Sequence, residues 1–275
     1  MLAHVTEMWN GVAGAWERNA QVVDVQLAAA TATMLDAGQV GAGDAVLDVA
    51  AGPGGAGIAA AARVGDGGRV VLSDDAPAMV EAAARRAADL PSVTTMVCDQ
   101  TRIDAPDESF DAVVCRHGLM FVDTPAAAVR EARRVLKPGG RYVAMTWGTR
   151  EANPWLGLIL DAVGEQFGVE FPPPGIPGPF SLSDGAELAD ALRAGGLEDV
   201  DVVTVATPMG RESLEAWWEI VPQLAGPLAV ALAGMPEDVR EEIRARALGY
   251  GAAAARPGDE GIEMEGSVLI ASGRR

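Results

Sequence analysis

The fold is decided by the stretch Val46-Leu47-Asp48-Val49-Ala50-Ala51-Gly52-Pro53-Gly54-Gly55-Ala56-Gly57. Its first four residues predict a buried strand, its glycines a tight turn, and its end the start of a helix. Gly52, Gly54 and Gly57 fit the spacing G-x-G-x-x-G, which lets the backbone approach a ligand closely. The first N–H groups of such a helix have no partner within the helix, so they attract a negative or polar group. The stretch therefore predicts a ligand-binding turn at the end of a strand.

The alternation of strand and helix continues on the C-terminal side of this turn. Short apolar strands are predicted at residues 45–49, 69–73, 93–97, 110–115 and 141–147, with helices at 55–63, 76–90 and 125–136. The strands are mostly Val, Ala and Met with little polar alternation, which is typical where helices cover both faces of a parallel sheet. The pattern predicts a doubly wound α/β fold.

The two ends of the chain have different patterns. An alanine-rich helix is predicted at residues 18–37, and a rigid Pro- and Gly-rich loop at residues 172–179. A helix at 184–194 and a strand at 200–207 follow, then two helices at 212–224 and 236–248, then a strand at 266–271. The last two helices thus form a cap inserted between two strands of one sheet. We divide the chain into an N-terminal helical lid (1–44), an α/β core (45–147), and cap helices with the last strands (148–275).

Acidic residues stand at the ends of the second and third predicted strands. Asp74 follows Gly54 by 20 residues and has Asp75 beside it, while Asp99 ends the third strand. A carboxylate at the second strand can accept hydrogen bonds from both hydroxyls of a ribose, and one at the third strand from an adenine amino group. Dinucleotide binders share the turn and the ribose acid, and Asp99 is alternatively a helix cap or turn residue. These residues alone therefore leave the class of adenosine cofactor open.

The charge of the chain restricts its partners. Twenty-one Lys and Arg against 39 Asp and Glu give a formal charge of −18, and the pI is near 4.4. Nucleic acids and anionic membrane surfaces would be repelled, because both are bound chiefly through Lys and Arg. Hydrophobic residues make up 49% of the chain, which is too many for a disordered acidic chain. We expect a globular protein with a small-molecule partner, as a monomer or a homodimer, that binds no nucleic acid and no membrane.

Cysteine and histidine are rare in this chain. Cys98 and Cys115, with His4 and His117, match no metal-ligand spacing, so we expect no metal site and a reducing compartment. The N-terminus carries Glu7 and no cationic stretch ahead of an apolar run, so no signal peptide is predicted. No uncharged apolar run reaches about 18 residues. We expect a soluble, cytoplasmic protein.

Five motifs, in this order, resemble those of class I S-adenosylmethionine-dependent methyltransferases. They are Leu47-Asp48-Val49-Ala50-Ala51-Gly52-Pro53-Gly54, Asp74-Asp75-Ala76-Pro77-Ala78-Met79, Cys98-Asp99-Gln100, Phe110-Asp111-Ala112-Val113-Val114-Cys115-Arg116-His117-Gly118-Leu119 and Val135-Leu136-Lys137-Pro138-Gly139-Gly140. The resemblance covers residues 45–147 and is greatest to the ubiquinone/menaquinone-biosynthesis branch, whose members mostly methylate small molecules. It implies a mostly parallel seven-stranded sheet, S-adenosylmethionine as cofactor and S-adenosylhomocysteine as product.

The resemblance also implies roles for residues of the first two motifs. The backbone at Ala50 and Gly52 would meet the methionine part of the cofactor, in the turn that continues through Gly54. Asp48 would orient that turn, and Asp74-Asp75 would hold the ribose. Ala50 departs from the family, which usually has a glycine there, and an alanine is tolerable if its φ is negative.

The later motifs would contact the rest of the cofactor. Met79 would lie against the adenine ring, with Asp99 and Gln100 at its edge. The main chain at Cys115 and Arg116 would flank the amino acid end. In this family the cofactor binds between the first and fourth strands, where the strand order reverses.

His117 is the predicted catalytic residue. Methyl transfer from a sulfonium is an in-line displacement, so positioning alone lowers the barrier, and a general base helps where the acceptor must lose a proton. His117 follows the fourth strand, beside the expected methyl group, and is predicted to be that base. The alternatives are a bond to the cofactor carboxylate and a packing role. A histidine base with the reference pKa of ~6.5 predicts an acidic limb of the rate near that pH.

Tryptophans and a methionine are predicted to line an apolar acceptor pocket. Trp9 and Trp16 would form the lid, Trp217 and Trp218 the roof, with Met120 and Trp147 beside them. The alternative is that the tryptophans only fill the core of the flanking helices. The arginine pairs Arg85-Arg86 and Arg133-Arg134 are expected on solvated helix faces.

The predicted function is methyl transfer to a small, apolar or aromatic metabolite. One alternative is a dinucleotide-dependent oxidoreductase, which shares the glycine turn and the ribose acid. The other is a non-catalytic module that binds S-adenosylmethionine.

Overall fold

The computed structural model describes residues 3–259 and 261–275, with side chains from Thr6 onward, so the side chain of His4 lies outside it. The N-terminal part forms two helices, α1 (Ala3–Gln26) and α2 (Ala28–Ala37), where the sequence predicted one shorter helix. The core follows as β1 (Ala45–Val49), α3 (Gly55–Val64), β2 (Arg69–Asp74), α4 (Pro77–Arg86), β3 (Val93–Val97), β4 (Phe110–Arg116), α5 (Pro125–Val135) and β5 (Leu136–Trp147). Single turns of 3-10 helix lie at Gly65–Gly67 and Leu119–Phe121.

The C-terminal part contains more elements than the sequence predicted. They are α6 (Pro154–Phe167), α7 (Gly185–Ala194), β6 (Glu198–Ala206), β7 (Met209–Arg211), α8 (Leu214–Leu224), α9 (Gly226–Ala233), α10 (Glu237–Ala254), β8 (Arg256–Gly258), β9 (Gly261–Met264) and β10 (Ser267–Arg274). The prediction missed α6, α9 and the three strands β7 to β9. These strands have only three or four residues each, which is too short for an alternating pattern to be recognised.

Seven strands form one sheet in the order β3-β2-β1-β4-β5-β10-β6, and β7, β9 and β8 form a small separate sheet. Neighbouring strands from β3 to β5 are parallel, while β10 is antiparallel to both β5 and β6. The doubly wound, mostly parallel sheet predicted from the sequence is therefore confirmed. Because β1 lies between β2 and β4, the strand order reverses there, which is where an open α/β sheet binds ligands.

Alternate residues of β1 are buried on opposite faces of the sheet. Leu47 and Val49 pack with α5 and α7 on one face, while Val46 packs with α2, α3 and α4 on the other. All five residues of β1 are buried. This explains the continuous apolar sequence, since helices exclude water from both faces.

Strand β5 begins five residues earlier than predicted. Leu136 pairs with Phe110, and after a register shift Arg141 pairs with Ala112. Gly139, within the shift, has φ +82°, a conformation that glycine adopts at little cost. The Pro-Gly-Gly segment, which lay between the predicted helix and the predicted strand, is thus an irregular part of the strand.

The inserted segment from β7 to β9, together with α6, has its own apolar core. Trp155, Ile159, Trp217, Leu228 and Ile243 are among its buried residues. In the part of the chain that the structure describes, no helix combines the length and apolar character needed to span a bilayer. The division of the chain at residues 44 and 147 stays a prediction.

Candidate functional site

A deep cleft opens at the carboxyl ends of β1, β2 and β4. Its empty space, counted out to the solvent at its mouth, is about 1320 Å³. Helix α1 and the inserted helices α8 and α9 close the side of the cleft opposite the sheet.

The turn after β1 forms one wall of the cleft. Ala50, Gly52 and Gly54 have φ of +53°, +54° and +87°. The positive φ of Ala50 is the opposite of the negative value that the sequence analysis set as the condition for alanine. The conformation is costly for a residue with a Cβ, and such strain is found most often at functional sites. Ala50 and Gly52 border the cleft, whereas Gly54 lies behind them as the N-cap of α3.

Asp48 supports this turn from below and does not border the cleft. Its side chain is fully buried, and Oδ2 accepts a hydrogen bond of 2.7 Å from the Gly57 N–H in the first turn of α3. Oδ1 has no hydrogen-bond partner among the described residues. Burial raises the pKa of Asp48 to about 7, against the opposing effect of the Arg116 charge. The predicted orienting role fits this position.

Asp74 lies at the end of β2, where it connects two backbone segments. Oδ2 accepts from the Gly52 N–H and Oδ1 from the Ala76 N–H, each at 2.9 Å. Burial raises the pKa of Asp74 to about 6, although these N–H groups stabilise the carboxylate. Asp75 also borders the cleft and accepts a hydrogen bond from the Thr6 hydroxyl of α1. Each carboxylate oxygen has a second lone pair, so Asp74 keeps accepting capacity for a ligand hydroxyl.

His117 enters the cleft from the end of β4 with a positive φ of +62°. The backbone N–H of His117 donates to the Met145 carbonyl at 2.8 Å, and the imidazole ring stacks on Trp147. Both ring nitrogens are buried and have no hydrogen-bond partner among the described residues. Burial, helped by the Arg116 charge, holds the pKa of His117 well below 6.5. The imidazole is therefore neutral at pH 7, and the same burial makes it a weaker base than an exposed histidine.

Arg116 belongs to an ion network that joins α1 to the strand ends. Its guanidinium donates to Asp24 at 3.0 Å and to the Thr31 hydroxyl at 3.1 Å. Arg86 binds the other oxygen of Asp24 at 2.6 Å and the Pro53 carbonyl at 2.6 Å. The expected solvated position of Arg86 is therefore wrong. Asp24 lies 62 and 92 residues from its two partners, so no local pattern reveals it.

A second group of predicted residues packs beneath the cleft floor. The side chain of Gln100 borders the cleft and bridges the Gly118 carbonyl and the Cys115 thiol. Cys115 is fully buried, and burial raises its pKa to about 12. Asp99 does not border the cleft, and its Oδ1 accepts from the N–H and hydroxyl of Thr101.

The acceptor side of the cleft, defined as its walls from α1 and from residues 147–227, is mainly apolar. Of the predicted pocket residues, Trp9, Trp16, Met120 and Trp147 line the cleft. Trp217 and Trp218 do not, contrary to the prediction. Trp217 is 1% exposed and donates to the Trp155 carbonyl at 2.7 Å, so it belongs to the core of the inserted segment, and Trp218 packs against that core.

The structure adds lining residues that the sequence analysis missed. They are Val23, Gln26, Leu27, Ala51, Pro53, Gly118, Phe121, Trp155, Leu156, Pro179, Met209, Arg211, Val221, Leu224, Ala225 and Pro227. Of the predicted cofactor residues, Met79 and Arg116 also line the cleft. The missed residues come mostly from α1 and the inserted segment, whose sequences carry no motif.

The match to a known protein family falls within the predicted α/β core, residues 45–147. Residues 47–144 match the family model described as "Methyltransferase domain". The chain is 40% identical over 108 residues to a demethylmenaquinone methyltransferase of Clavibacter sepedonicus, covering 39% of this chain and 43% of that protein. It is 32% identical over 174 residues to the ubiquinone/menaquinone biosynthesis C-methyltransferase UbiE of Bordetella avium, covering 56% of this chain and 64% of that one. The matched part thus spans less than two thirds of either relative.

Solved structures of other proteins also resemble the fold over most of this chain. The YcgJ protein of Bacillus subtilis superimposes with a TM-score of 0.59 at 19% identity, covering 89% of this chain and 97% of that one. The match to a methyltransferase domain does not favour the alternative of a dinucleotide-dependent oxidoreductase. The central part of this chain, residues 47–144, matches a methyltransferase domain, and the chain is similar in sequence to the ubiquinone/menaquinone C-methyltransferases.

Proposed function

We propose that this chain transfers a methyl group from S-adenosylmethionine to a small, apolar or aromatic metabolite held in the cleft. One observation carries the proposal. The strained turn at Ala50, the acid Asp74 and the neutral His117 come from three different strands and border the same cleft. The parallel sheet brings them together at its point of strand reversal.

The residues of the sheet side fit an adenosine cofactor with an amino acid tail. Asp74 has lone pairs left for ribose hydroxyls, and Met79 offers an apolar surface to the adenine ring. A Cβ on Gly52 would meet no atom within 4 Å, so the backbone there is open to a ligand. When bound, S-adenosylmethionine supplies a methyl group on a positively charged sulfur.

The acceptor side fits a flat apolar molecule. Trp147 meets Trp155 edge-to-face with ring centroids 4.8 Å apart, and Trp9 meets Phe121 in the same way at 5.1 Å. These aromatic groups exclude water from the acceptor and orient it toward His117. The formal charge of −18 disfavours nucleic acid as the acceptor.

His117 is the proposed general base. Its ring nitrogens have no protein partner among the described residues, so they are available to an acceptor hydroxyl or an acidic carbon. The stacking on Trp147 fixes the plane of the imidazole, which limits the directions from which it accepts a proton. A base of this kind is worth roughly 10²- to 10⁴-fold in rate.

The test is methyl transfer with labelled cofactor. The purified chain is incubated with methyl-labelled S-adenosylmethionine and a panel of phenols, quinols and other arenes, both neutral and anionic, and label is counted in the recovered products. We expect transfer to at least one aromatic acceptor and its loss in Asp74→Asn, with Asp36→Asn as a surface control. Binding of S-adenosylhomocysteine without transfer to any acceptor would instead favour a non-catalytic module.

A further inference from the structure

One cation on the acceptor side of the cleft has no counter-ion in the part of the chain that the structure describes. Arg211 is the last residue of β7, where it pairs with Ile262 of β9, and its side chain borders the cleft beside Gln26 and Met209. It stands among apolar walls, because most of the surrounding lining residues are Trp, Leu, Val, Pro and Met.

Among the described residues, only one nitrogen of the Arg211 guanidinium has a hydrogen-bond partner. Nη1 donates to the Gly210 carbonyl and, at 3.4 Å, to Gln26 Oε1. Nε is buried without a partner, and neither Nε nor Nη2 donates to a described residue. No carboxylate of the described residues lies within 4.0 Å of this guanidinium. Arginine stays protonated even where burial lowers its pKa, so the charge persists.

A partly buried cation without a partner is energetically costly, since buried charges in proteins are normally paired. Of the many acidic residues that the structure describes, the fold brings none into an ion pair with Arg211. The two unused nitrogens form the side of the guanidinium that binds a carboxylate or phosphate through two parallel hydrogen bonds.

From this geometry we infer that the methyl acceptor carries an anionic group, of the carboxylate, sulfonate or phosphate class, which binds Nε and Nη2 of Arg211. The apolar part of the acceptor then lies against the aromatic walls. This inference rests on the proposed function and narrows its substrate class from an apolar molecule to an amphipathic anion.

A matched pair of probes tests the inference without knowledge of the natural acceptor. 8-Anilinonaphthalene-1-sulfonate and N-phenyl-1-naphthylamine share one aromatic skeleton and differ by the sulfonate. Each is titrated, by fluorescence, into the chain saturated with S-adenosylhomocysteine. We expect the sulfonate to bind roughly 10- to 150-fold more tightly, the range for hydrogen bonds to a charged group. The net charge of −18 opposes this preference at long range.

Variants then assign the preference to Arg211. Arg211→Gln should abolish the advantage of the sulfonate and leave the affinity for the neutral probe within about two-fold. Arg63→Gln, which loses contacts with Asp36 and the Ala32 carbonyl and does not line the cleft, should retain the wild-type preference. Equal affinities of the two probes for the wild-type chain would overturn the inference, and this comparison holds even if Arg211→Gln does not fold.

The affinity for S-adenosylhomocysteine separates this inference from the proposed function. If Arg211→Gln weakens that affinity and spares the sulfonate, Arg211 binds the carboxylate of the cofactor and the inference is wrong. If the wild-type chain binds no S-adenosylhomocysteine, the proposed function is wrong, and the inference that rests on it is wrong as well. If it binds S-adenosylhomocysteine and shows no preference for the sulfonate, only the inference fails.

Discussion

The imidazole of His117 stacks on the indole of Trp147, with ring centroids 3.9 Å apart and an angle of 14° between the planes. The two residues come from the ends of adjacent parallel strands, β4 and β5. The stack removes water from one face of the imidazole, and burial lowers its pKa well below 6.5. An imidazole that stays neutral at physiological pH follows from the position of these two strands.

His117→Gln should lower kcat by roughly 10²- to 10⁴-fold and change the affinity for S-adenosylhomocysteine by only a few-fold, because a base acts in the transition state. Steady-state kinetics and calorimetry measure the two effects separately. A parallel fall in affinity would make His117 a binding residue.

The pH dependence of the rate tests the same residue. The sequence alone predicted an acidic limb near pH 6.5, whereas the lowered pKa of His117 moves that limb to a lower pH. The wild-type rate should therefore stay level through pH 6.5, as far as His117 determines it. A histidine-dependent limb at pH 6.5 that disappears in His117→Gln would contradict this burial.

Gly118→Ala should destabilise the floor of the cleft. A Cβ on Gly118 would lie 2.3 Å from the Ala50 Cβ and 2.9 Å from the Cys115 Sγ. Such overpacking costs about 1–3 kcal/mol in the free energy of unfolding, measured in urea. Gly249→Ala is the matched control, because a Cβ there meets no atom within 4 Å, and it should be neutral or stabilising. Equal stability of the two variants would contradict this prediction, because it would show that Ala50 and Cys115 move away from the new Cβ without cost.

Asp24→Asn should weaken the connection between α1 and the strand ends. Both Asp24 oxygens are used, by Arg86 and Arg116, and the Arg116 side chain is only 9% exposed. We expect a loss of about 1–3 kcal/mol in the free energy of unfolding. Asp36→Asn removes a surface contact with Arg63 and should cost less than about 1 kcal/mol. A loss in Asp24→Asn no larger than in this control would exclude a structural role for the network.

Asp48→Asn should change the pH dependence of stability. The pKa of Asp48 is raised from 3.8 to about 7, so its contribution to stability is present below pH 3.8 and lost as the pH rises through 7. At about 1.4 kcal/mol per pKa unit, the loss by pH 8 approaches about 4 kcal/mol. Asn carries no charge, so the variant should lose less stability than the wild-type chain between pH 4 and pH 8. Parallel stability profiles in urea would contradict the burial of Asp48.

The sequence predicted those parts of the site whose residues each lie within one short motif. The Gly52 turn, Asp74 and His117 each follow a strand within a few residues, and parallel strands end at one edge of the sheet. Their common position in the cleft therefore followed from the order of elements alone.

The acceptor side was harder to predict because its residues are brought together by tertiary packing. Trp155 and Trp217 both stand on apolar helices, and only the packing of α6 against α8 decides that Trp155 borders the cleft and Trp217 does not. Arg211 lies on a three-residue strand without a recognisable pattern. A prediction from residue type alone included Trp217 and Trp218, which do not line the cleft, and missed Trp155, which does.

The central claim is that the cleft binds S-adenosylmethionine through Asp74, and calorimetry with S-adenosylhomocysteine tests it most directly. We expect one site per wild-type chain and an affinity roughly 10- to 150-fold lower in Asp74→Asn. Since the pKa of Asp74 is about 6, the wild-type affinity should also fall below that pH, where the carboxylate gains a proton. Unchanged affinity in a folded Asp74→Asn, or no binding by the wild-type chain at pH 8, would contradict the account.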